Sequence, residues 1–178
     1  MQWQIDPAHT SLDFAVRHLG ISTVRGHITK LSGAIDATDD GVPTSIEILI
    51  DSASIDTRDQ KRDDHLRSPD FLDAARYPTL TFRSTGINAR GRGRYLVQGD
   101  LILRGQRRPA SFEVEVTDPI KDPWGNLRAA GTGEGKLNRK DWGLTWNQVL
   151  EFGALAVGEE VRFRIEAEVV ARTPVAAG

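Results

Sequence analysis

Hydrophobic and polar residues alternate along most of this chain, and a period of two is typical of β-strands with one buried face. From Leu12 to His18 the apolar residues Phe14 and Val16 alternate with polar or small residues. Similar rows of alternating apolar residues occupy positions 46–50, 80–82, 95–103, 112–116 and 161–169. Because the apolar face of each row has no ionised side chain, the pattern predicts strands that enclose a common interior.

Turn sequences separate these rows, at residues 39–41, 88–91, 104–106, 124–126 and 157–159. Connections this short favour antiparallel pairing of consecutive strands. Residues 22–37 are less regular, because Gly26 and Gly33 interrupt the row. For this segment we expect one long, bent strand with a bulge.

Glycine occupies three successive positions on one face of the row at 127–137, namely 131, 133 and 135. Such a face with little side-chain volume borders free space inside the fold, or it has a structural explanation. The glycines then bend the strand at a barrel corner, or they let an aromatic side chain of a neighbouring strand close over the backbone. The sequence alone leaves these alternatives open.

Residues 57–77 break the alternation. The stretch from Thr57 to Gln60 has the form of a capping box, and Ser68 precedes a proline, as at the start of a helix. The sequence therefore predicts two short helices joined near Ser68. Together with the regularly spaced rows, it predicts an all-β fold, a barrel or sandwich of about eight antiparallel strands with a short helical insertion.

The composition narrows the function classes. A chain of 178 residues fits a single domain, which we expect at 1–173 with a flexible tail at 174–178. The absence of cysteine excludes disulfides, thiolate metal sites and thiol nucleophiles. With 23 basic and 25 acidic residues the net charge is −2, whereas a general binder of nucleic acids or anionic membranes would carry a basic excess.

The beginning of the chain has no basic region followed by an apolar stretch, and no window holds the ~18 consecutive apolar residues of a membrane span. We therefore expect a cytoplasmic protein without stable membrane insertion, or a periplasmic one if a leader was removed.

The sequence motifs give little support for a catalytic or metal-binding function. The histidines at 9, 18, 27 and 65 lack the paired spacing of metal ligands, and no nucleophile elbow, phosphate loop or dinucleotide fingerprint is present. We expect no metal and no enzyme activity. His18 continues an apolar row, where it can bond a polar group of a ligand, although a buried histidine bonded to a backbone carbonyl is the commoner role.

Two pairs of charged residues are expected to form ion pairs that tie the insertion and a loop to the sheet. These are Arg62 with Asp63, and Arg139 with Asp141.

The strongest competing class is a nucleic-acid-binding β-barrel. Arginines cluster between Arg90 and Arg108, with Tyr95 as an aromatic neighbour. Because the chain as a whole is slightly acidic, solvated arginine-rich hairpin turns explain the same cluster. We therefore expect no nucleic acid as a partner.

Four segments of the chain form a recognisable series of motifs: WQIDPAHTSLDFAVRH at 3–18, RDDHLRSPDFLD at 62–73, YPTLTF at 77–82 and RKDWG at 139–143. In this order they resemble the motifs of the YceI-like, polyisoprenoid-binding proteins. The resemblance covers residues 2–172. Small departures are Thr10, Lys140 and Trp142, where serine, serine and phenylalanine are usual in the family.

The resemblance implies an antiparallel, eight-stranded, lipocalin-like β-barrel with an elongated apolar cavity. Its ligand would be a polyisoprenoid, an isoprenoid quinone-like lipid or a fatty-acid-like amphiphile, bound for transport or storage without chemistry. No other cofactor is expected, and edge strands permit a homodimer. The bulky Trp142 would alter the length of ligand accepted.

Candidate ligand-binding residues come from the strand rows and from the helical and loop segments. The strand residues are Phe14, Val16, His18, Ile48, Phe82, Val97, Leu101, Val114, Phe163 and Ile165, and the others are Phe71, Trp142, Trp146 and Phe152. Apolar residues at strand spacing also fit a filled core, so the division between core and cavity stays open.

Overall fold

Antiparallel strands make up most of the protein, and the structure, a computed structural model, describes residues 1–150, 153 and 155–172. The strands are β1 (Gln2–His18), β2 (Ser22–Ile28), β3 (Leu31–Ala37), β4 (Pro43–Asp51), β5 (Ile55–Asp56), β6 (Thr79–Gly91), β7 (Arg94–Leu103), β8 (Gln106–Val116), β9 (Ile120–Lys121), β10 (Leu127–Asn138) and β11 (Val157–Ala171). The helix α1 spans Gln60–Arg67, and short 3₁₀-helices span Ser52–Ser54 and Arg139–Trp142. Within the described residues, no helix combines the length and apolar character needed to cross a bilayer.

Eight of these strands close into an antiparallel barrel. Around the wall the order is β1, β3, β4, β6, β7, β8, β10 and β11, and β11 pairs with β1 to complete the circuit. β2 and β5 extend the sheet beside the second half of β1, and β9 pairs with the start of β10. The predicted barrel is confirmed, and the sandwich alternative is excluded.

β1 is long enough to serve two neighbours on the same edge. Its first three residues pair with β3 and its last seven pair with β2. Residues 22–37 accordingly form two strands instead of the single bent strand expected. Ser54 fills the break between them, because the N–H of Thr29 donates to its carbonyl and the N–H of Lys30 donates to its hydroxyl.

The start of α1 differs from the predicted capping box. Asp59 caps the helix, since its side chain accepts a hydrogen bond from the N–H of Arg62 at 3.0 Å. Thr57, the expected cap, lies before the helix and bonds to Asp63 through both its N–H and its hydroxyl.

The second helix expected after Ser68 is replaced by turns. The N–H of Leu72 donates to the carbonyl of Leu66, and the N–H of Asp73 donates to that of Ser68. Asp73 also has φ +48°, a left-handed conformation that ends a right-handed helix. These bonds fold the segment back onto α1. They prevail over the local preference for a helix start at Ser68 and the following proline.

One cross-strand row of the barrel wall places glycines beside phenylalanines. Phe14 faces Gly26 on one side and Phe163 on the other, and Gly135 lies between Phe163 and Phe112. A Cβ on Gly135 would lie 2.6 Å from the Cζ of Phe163 and 2.9 Å from the Cβ of Phe112. At Gly133 and Gly135 neighbouring side chains, Phe112 among them, therefore close over the backbone, whereas a Cβ on Gly131 would make an ordinary contact with Val116 at 3.6 Å.

The half of the barrel interior away from the insertion is filled with side chains. Ile5, Ile46, Tyr95 and Val97 are all nine-tenths or more buried and belong to the same core cluster. This packed half supplies much of the apolar burial that stabilises the closed sheet.

Arg128 joins three segments at the filled end of the barrel. Its guanidinium donates to Asp122 at 2.8 Å, to Asp6 at 3.0 Å and to Glu168. The hydrogen bond from Arg128 holds the pKa of Asp122 well below its usual range, and those from His9 and Arg128 lower the pKa of Asp6. The network therefore stabilises the fold while these carboxyls are ionised.

Gly135→Ala should destabilise the barrel by roughly 1–3 kcal/mol, because the added methyl group overlaps Phe163 and Phe112. Urea unfolding measures the loss. Gly86→Ala is the matched control, since its Cβ would meet only side-chain atoms 3.8 Å away or more. Equal stability of the two variants would contradict this account of the aromatic packing.

Arg128→Gln should lower the thermal midpoint near neutral pH and flatten its dependence on acid. The lowered pKa values of Asp6 and Asp122 mean that their stabilisation is present above the unfolded-state pKa of ~4 and is lost as the pH falls below it. The gap between wild type and variant should therefore narrow as the pH falls from ~5 towards ~2. Arg92→Gln, which breaks an ion pair whose side chains are 90% and 85% exposed, should leave the pH profile unchanged.

Candidate functional site

A cavity of about 450 Å³ occupies the half of the barrel next to the insertion. Most of its wall is apolar: Leu12, Phe14, Val16, Val24, Ile28, Ile48, Ile50, Ile55, Leu66, Phe71, Leu72, Leu80, Phe82, Leu101, Leu103, Ala110, Phe112, Leu137, Trp142, Leu144, Trp146, Ala156, Val157, Val161, Phe163 and Ile165. The polar lining residues are Arg17, His18, Ser52, Arg62, His65, Arg139 and Gln148. This volume and character are typical of a small-molecule site.

The cavity opens beside the turn that joins β1 to β2. Arg17, His18 and Gln148 belong to its lining and are exposed to solvent. The N–H of Leu19 in this turn donates to the carbonyl of Ala156 at 2.8 Å, which joins the turn to the segment before β11. Two hydrogen-bonded backbone segments therefore frame the mouth.

The insertion and the segment after β10 cover the end of the barrel. The ring of His65 lies edge-on to Phe71 and Trp146, with centroid distances of 5.1 Å and 4.6 Å. Trp142 is 2% exposed, and its indole N–H donates to the carbonyl of Leu101 at 2.9 Å. These side chains form a wall of the cavity that is fixed both by packing and by a hydrogen bond.

Most of the residues predicted to bind ligand line this cavity: Phe14, Val16, His18, Ile48, Phe71, Phe82, Leu101, Trp142, Trp146, Phe163 and Ile165. Two lie elsewhere, since Val97 is fully buried in the filled half and Val114 packs against that core. Phe152 lies outside the described residues. His18 is exposed at the mouth, which corrects the expectation of a buried histidine.

Part of the lining was missed by the sequence reasoning. Val24, Val16, Val161 and Leu137 face one another in a single row across β2, β1, β11 and β10. Alternation gives the inward face of each strand, but only the pairing register shows which residues share a level of the barrel. The strand pairing is the signal that would have added Val24 and Leu137.

Arg139 is a buried cation at the end of the cavity. It is 4% exposed, and its guanidinium donates to the carbonyls of Leu144, Trp146 and Gly158 at 2.7–2.9 Å and to that of Val157 at 3.3 Å. Burial lowers the pKa of Arg139. The guanidinium thus fastens the segment before β11 to the 3₁₀-helix after β10.

Arg62 is held at one edge of its guanidinium. Its Nε–H donates to the hydroxyl of Thr57 at 2.7 Å, and its Nη2 donates to the carbonyl of Thr57 at 2.8 Å. The same hydroxyl donates to Asp63 at 2.6 Å. Asp63 therefore positions Arg62 through Thr57.

The expected ion pairs of the insertion and loop are wrong. Throughout the described part of the chain, salt bridges within 4 Å include neither Arg62 with Asp63 nor Arg139 with Asp141. Neighbouring residues on a helix point in different directions, so Arg62 and Asp63 meet only through a shared partner.

The arginines that suggested nucleic-acid binding are not brought together. Those near Arg90 flank the turn before β7, and those near Arg108 flank the turn after it. β7 has ten residues, so at about 3.3 Å per residue the two turns lie roughly 30 Å apart. Tyr95 is 8% exposed and packs in the core, so its ring is not available for stacking on a base.

A larger, open concavity of about 2130 Å³ lies on the outer face of β1, β2, β8, β10 and β11. Its charges are of both signs, and Arg164 pairs there with Glu134 and Glu166. This mixed surface is typical of a solvated sheet face.

One group of possible metal ligands occurs among the described residues, Asp6, His9 and Glu168, and it lies outside the cavity. Arg128 donates to both carboxylates, and the ring of His9 bonds to Asp6 at 3.0 Å. The guanidinium of Arg128 therefore balances the negative charge of these carboxylates, as a bound metal ion would do.

A closed antiparallel barrel with a covered end and an apolar cavity belongs to the class of small-molecule-binding barrels. The model of the YceI-like domain matches residues 3–169. The chain therefore belongs to the YceI-like family, as its motifs predicted.

Two relatives in sequence align with this chain over about three quarters of both lengths. A UPF0312 protein of Vibrio cholerae is 38% identical over 138 residues, which are 77% of this chain and 73% of that protein. A UPF0312 protein of Shewanella denitrificans is 37% identical over 141 residues, 77% of this chain and 72% of that protein.

Solved structures show the same fold. BcnA of Burkholderia cenocepacia has a TM-score of 0.78 at 22% identity, covering 94% of this chain and 99% of that one. A YCEI protein of Campylobacter jejuni has a TM-score of 0.76 at 24% identity, covering 88% and 90%. A polyisoprenoid binding domain from Saccharophagus degradans has a TM-score of 0.68 at 15% identity, covering 96% and 98%.

Arg139→Met should destabilise the protein by at least about 3 kcal/mol, because it removes the donor from the carbonyls of Leu144, Trp146 and Gly158 and each unsatisfied group costs roughly 1–3 kcal/mol. Denaturant unfolding at neutral pH measures the change. Lys140→Met, next in the chain but on the exposed side, should have little effect. A loss of the same size in both variants would show that Arg139 has no special role in the end of the barrel.

Proposed function

We propose that this protein binds one long apolar molecule in the barrel cavity and carries or stores it without chemical change. The observation that carries the proposal is the cavity itself, which is walled by aliphatic and aromatic side chains and has its few polar groups at the mouth and the covered end. Such a site removes a hydrocarbon chain from water and requires few hydrogen bonds with it.

The volume limits how much of a ligand is enclosed. A methylene group occupies about as much space as a water molecule, roughly 30 Å³, so 450 Å³ holds about fifteen of them. Burial at about 0.8 kcal/mol each gives roughly 12 kcal/mol before the chain-ordering entropy is subtracted. A fatty-acid-like amphiphile fits inside, whereas a longer polyisoprenoid or isoprenoid quinone-like lipid would extend through the mouth.

The chemistry of the lining supports binding over catalysis. Ser52 is the hydroxyl-bearing residue of the described lining, and it donates to the carbonyl of Tyr77 at 2.6 Å. The nitrogen Nε2 of His65 bonds to Asp70 at 2.7 Å. Ser52 and His65 thus have structural partners, and they are not paired with each other as nucleophile and base. The polyisoprenoid binding domain with the same fold supports the choice of ligand class.

Mass spectrometry of an organic extract tests the proposal. Protein purified without detergent should release a single-chain apolar molecule in near-stoichiometric amount. If it releases none and takes up none from a mixture of isoprenoids and fatty acids, the proposal fails.

Ala110→Trp should remove this uptake, because the indole ring fills part of the cavity beside Ala110. Ala130→Trp adds the same group to an exposed position on the outer face and should bind as wild type does. Thermal unfolding of both variants shows whether the barrel is intact. Normal uptake by a folded Ala110→Trp variant would place the ligand elsewhere.

A further inference from the structure

The charged groups in the cavity wall are of one sign. Arg17, Arg62 and Arg139 line it, whereas the described residues contribute no aspartate or glutamate to the lining. An apolar cavity with cationic groups and no carboxylate carries a positive potential, because its low dielectric weakens the screening by water. The wall is therefore electrostatically suited to an anion.

Arg139 is nine-tenths buried and has no carboxylate within 4 Å among the described residues. Glu159, the acidic residue that acts on it electrostatically, bonds to Lys140 at 2.6 Å. Carbonyl dipoles replace the water lost by the guanidinium but do not neutralise its charge. A positive charge thus remains beneath the ring of Phe71, 5.9 Å from its centroid.

Arg62 has donors to spare. Thr57 occupies Nε and one N–H of Nη2, and no protein acceptor is bonded to Nη1 within the described structure. No side-chain nitrogen or oxygen is both buried and unpartnered in the described part, so this Nη1 remains accessible. Because Asp63 is bonded to Thr57, its carboxylate is not bonded to Arg62, and the accessible edge of this guanidinium belongs to a residue of the cavity lining. Such an edge suits a carboxylate or phosphate.

We propose that Arg62 binds the anionic head group of the ligand, a carboxylate or a phosphate, at the covered end of the cavity, where the buried charge of Arg139 adds to the positive potential. This inference rests on the proposed function, since the apolar tail of the same molecule fills the lumen. The class of ligand thereby narrows from apolar chains in general to anionic amphiphiles.

Matched ligand pairs test the head group. The affinity of the lipid-free full chain is measured for hexadecanoate against hexadecan-1-ol, and for farnesyl phosphate against farnesol. The anion of at least one pair should bind about tenfold or more tightly than its alcohol. A preference in one pair identifies the head group as carboxylate or phosphate. Equal affinity within both pairs overturns the inference while the apolar cavity stands, and failure of every ligand to bind overturns the proposed function itself.

Arg62→Gln tests the assignment to this residue. It should lower affinity for the preferred anion about tenfold and change that for the alcohol by less than about twofold. Lys61→Gln removes the same charge from the exposed side of α1 and should change neither. Binding of the alcohol shows that the Arg62→Gln cavity is intact. An unchanged preference for the anion in this variant overturns the assignment.

Discussion

Pairing between the first and last strands, β1 and β11, closes the sheet and thereby creates an interior. The register along this seam brings Phe14 opposite Phe163 and Val16 opposite Val161. A flat or open sheet would leave both edges unpaired and would expose these apolar faces to water. Closure also fixes the width of the barrel, so residues facing inward must be complementary in size. Gly135, between two phenylalanine rings, shows how closely that requirement is met. The cavity, its cover and its polar groups all depend on this seam.

Alternation in the sequence predicted the strands and their inward faces, because a period of two is a local property of the backbone. Most of the residues predicted to bind ligand, including Phe14 and Ile165, do line the cavity, although they are a minority of its lining. Alternation does not tell how far along the barrel axis a residue lies. Val97 and Val114 point inward as expected, yet they lie at the filled end, since their level depends on strand register and therefore on long-range pairing.

The insertion shows a second limit of local signals. Ser68 and Pro69 have the form of a helix start, but hydrogen bonds back to α1 hold that segment in turns. Arg62 and Asp63 carry opposite charges next to each other in sequence, yet both bond to Thr57. In each case the local sequence pattern indicated a kind of interaction, a helix start or an ion pair. The hydrogen-bond partners that decide the geometry come from other parts of the chain, and they are known only once the path of the backbone is known.

The interior is divided between a packed half and a hollow half, and this division separates two tasks. Contacts around Ile5, Tyr95 and Val97, which do not line the cavity, stabilise the closed sheet. Substitutions around Ala110 or Leu137 alter the hollow half while those contacts remain in place. The barrel can therefore adapt its capacity to a different guest molecule at small expense to folding, which makes it a scaffold open to divergence in specificity.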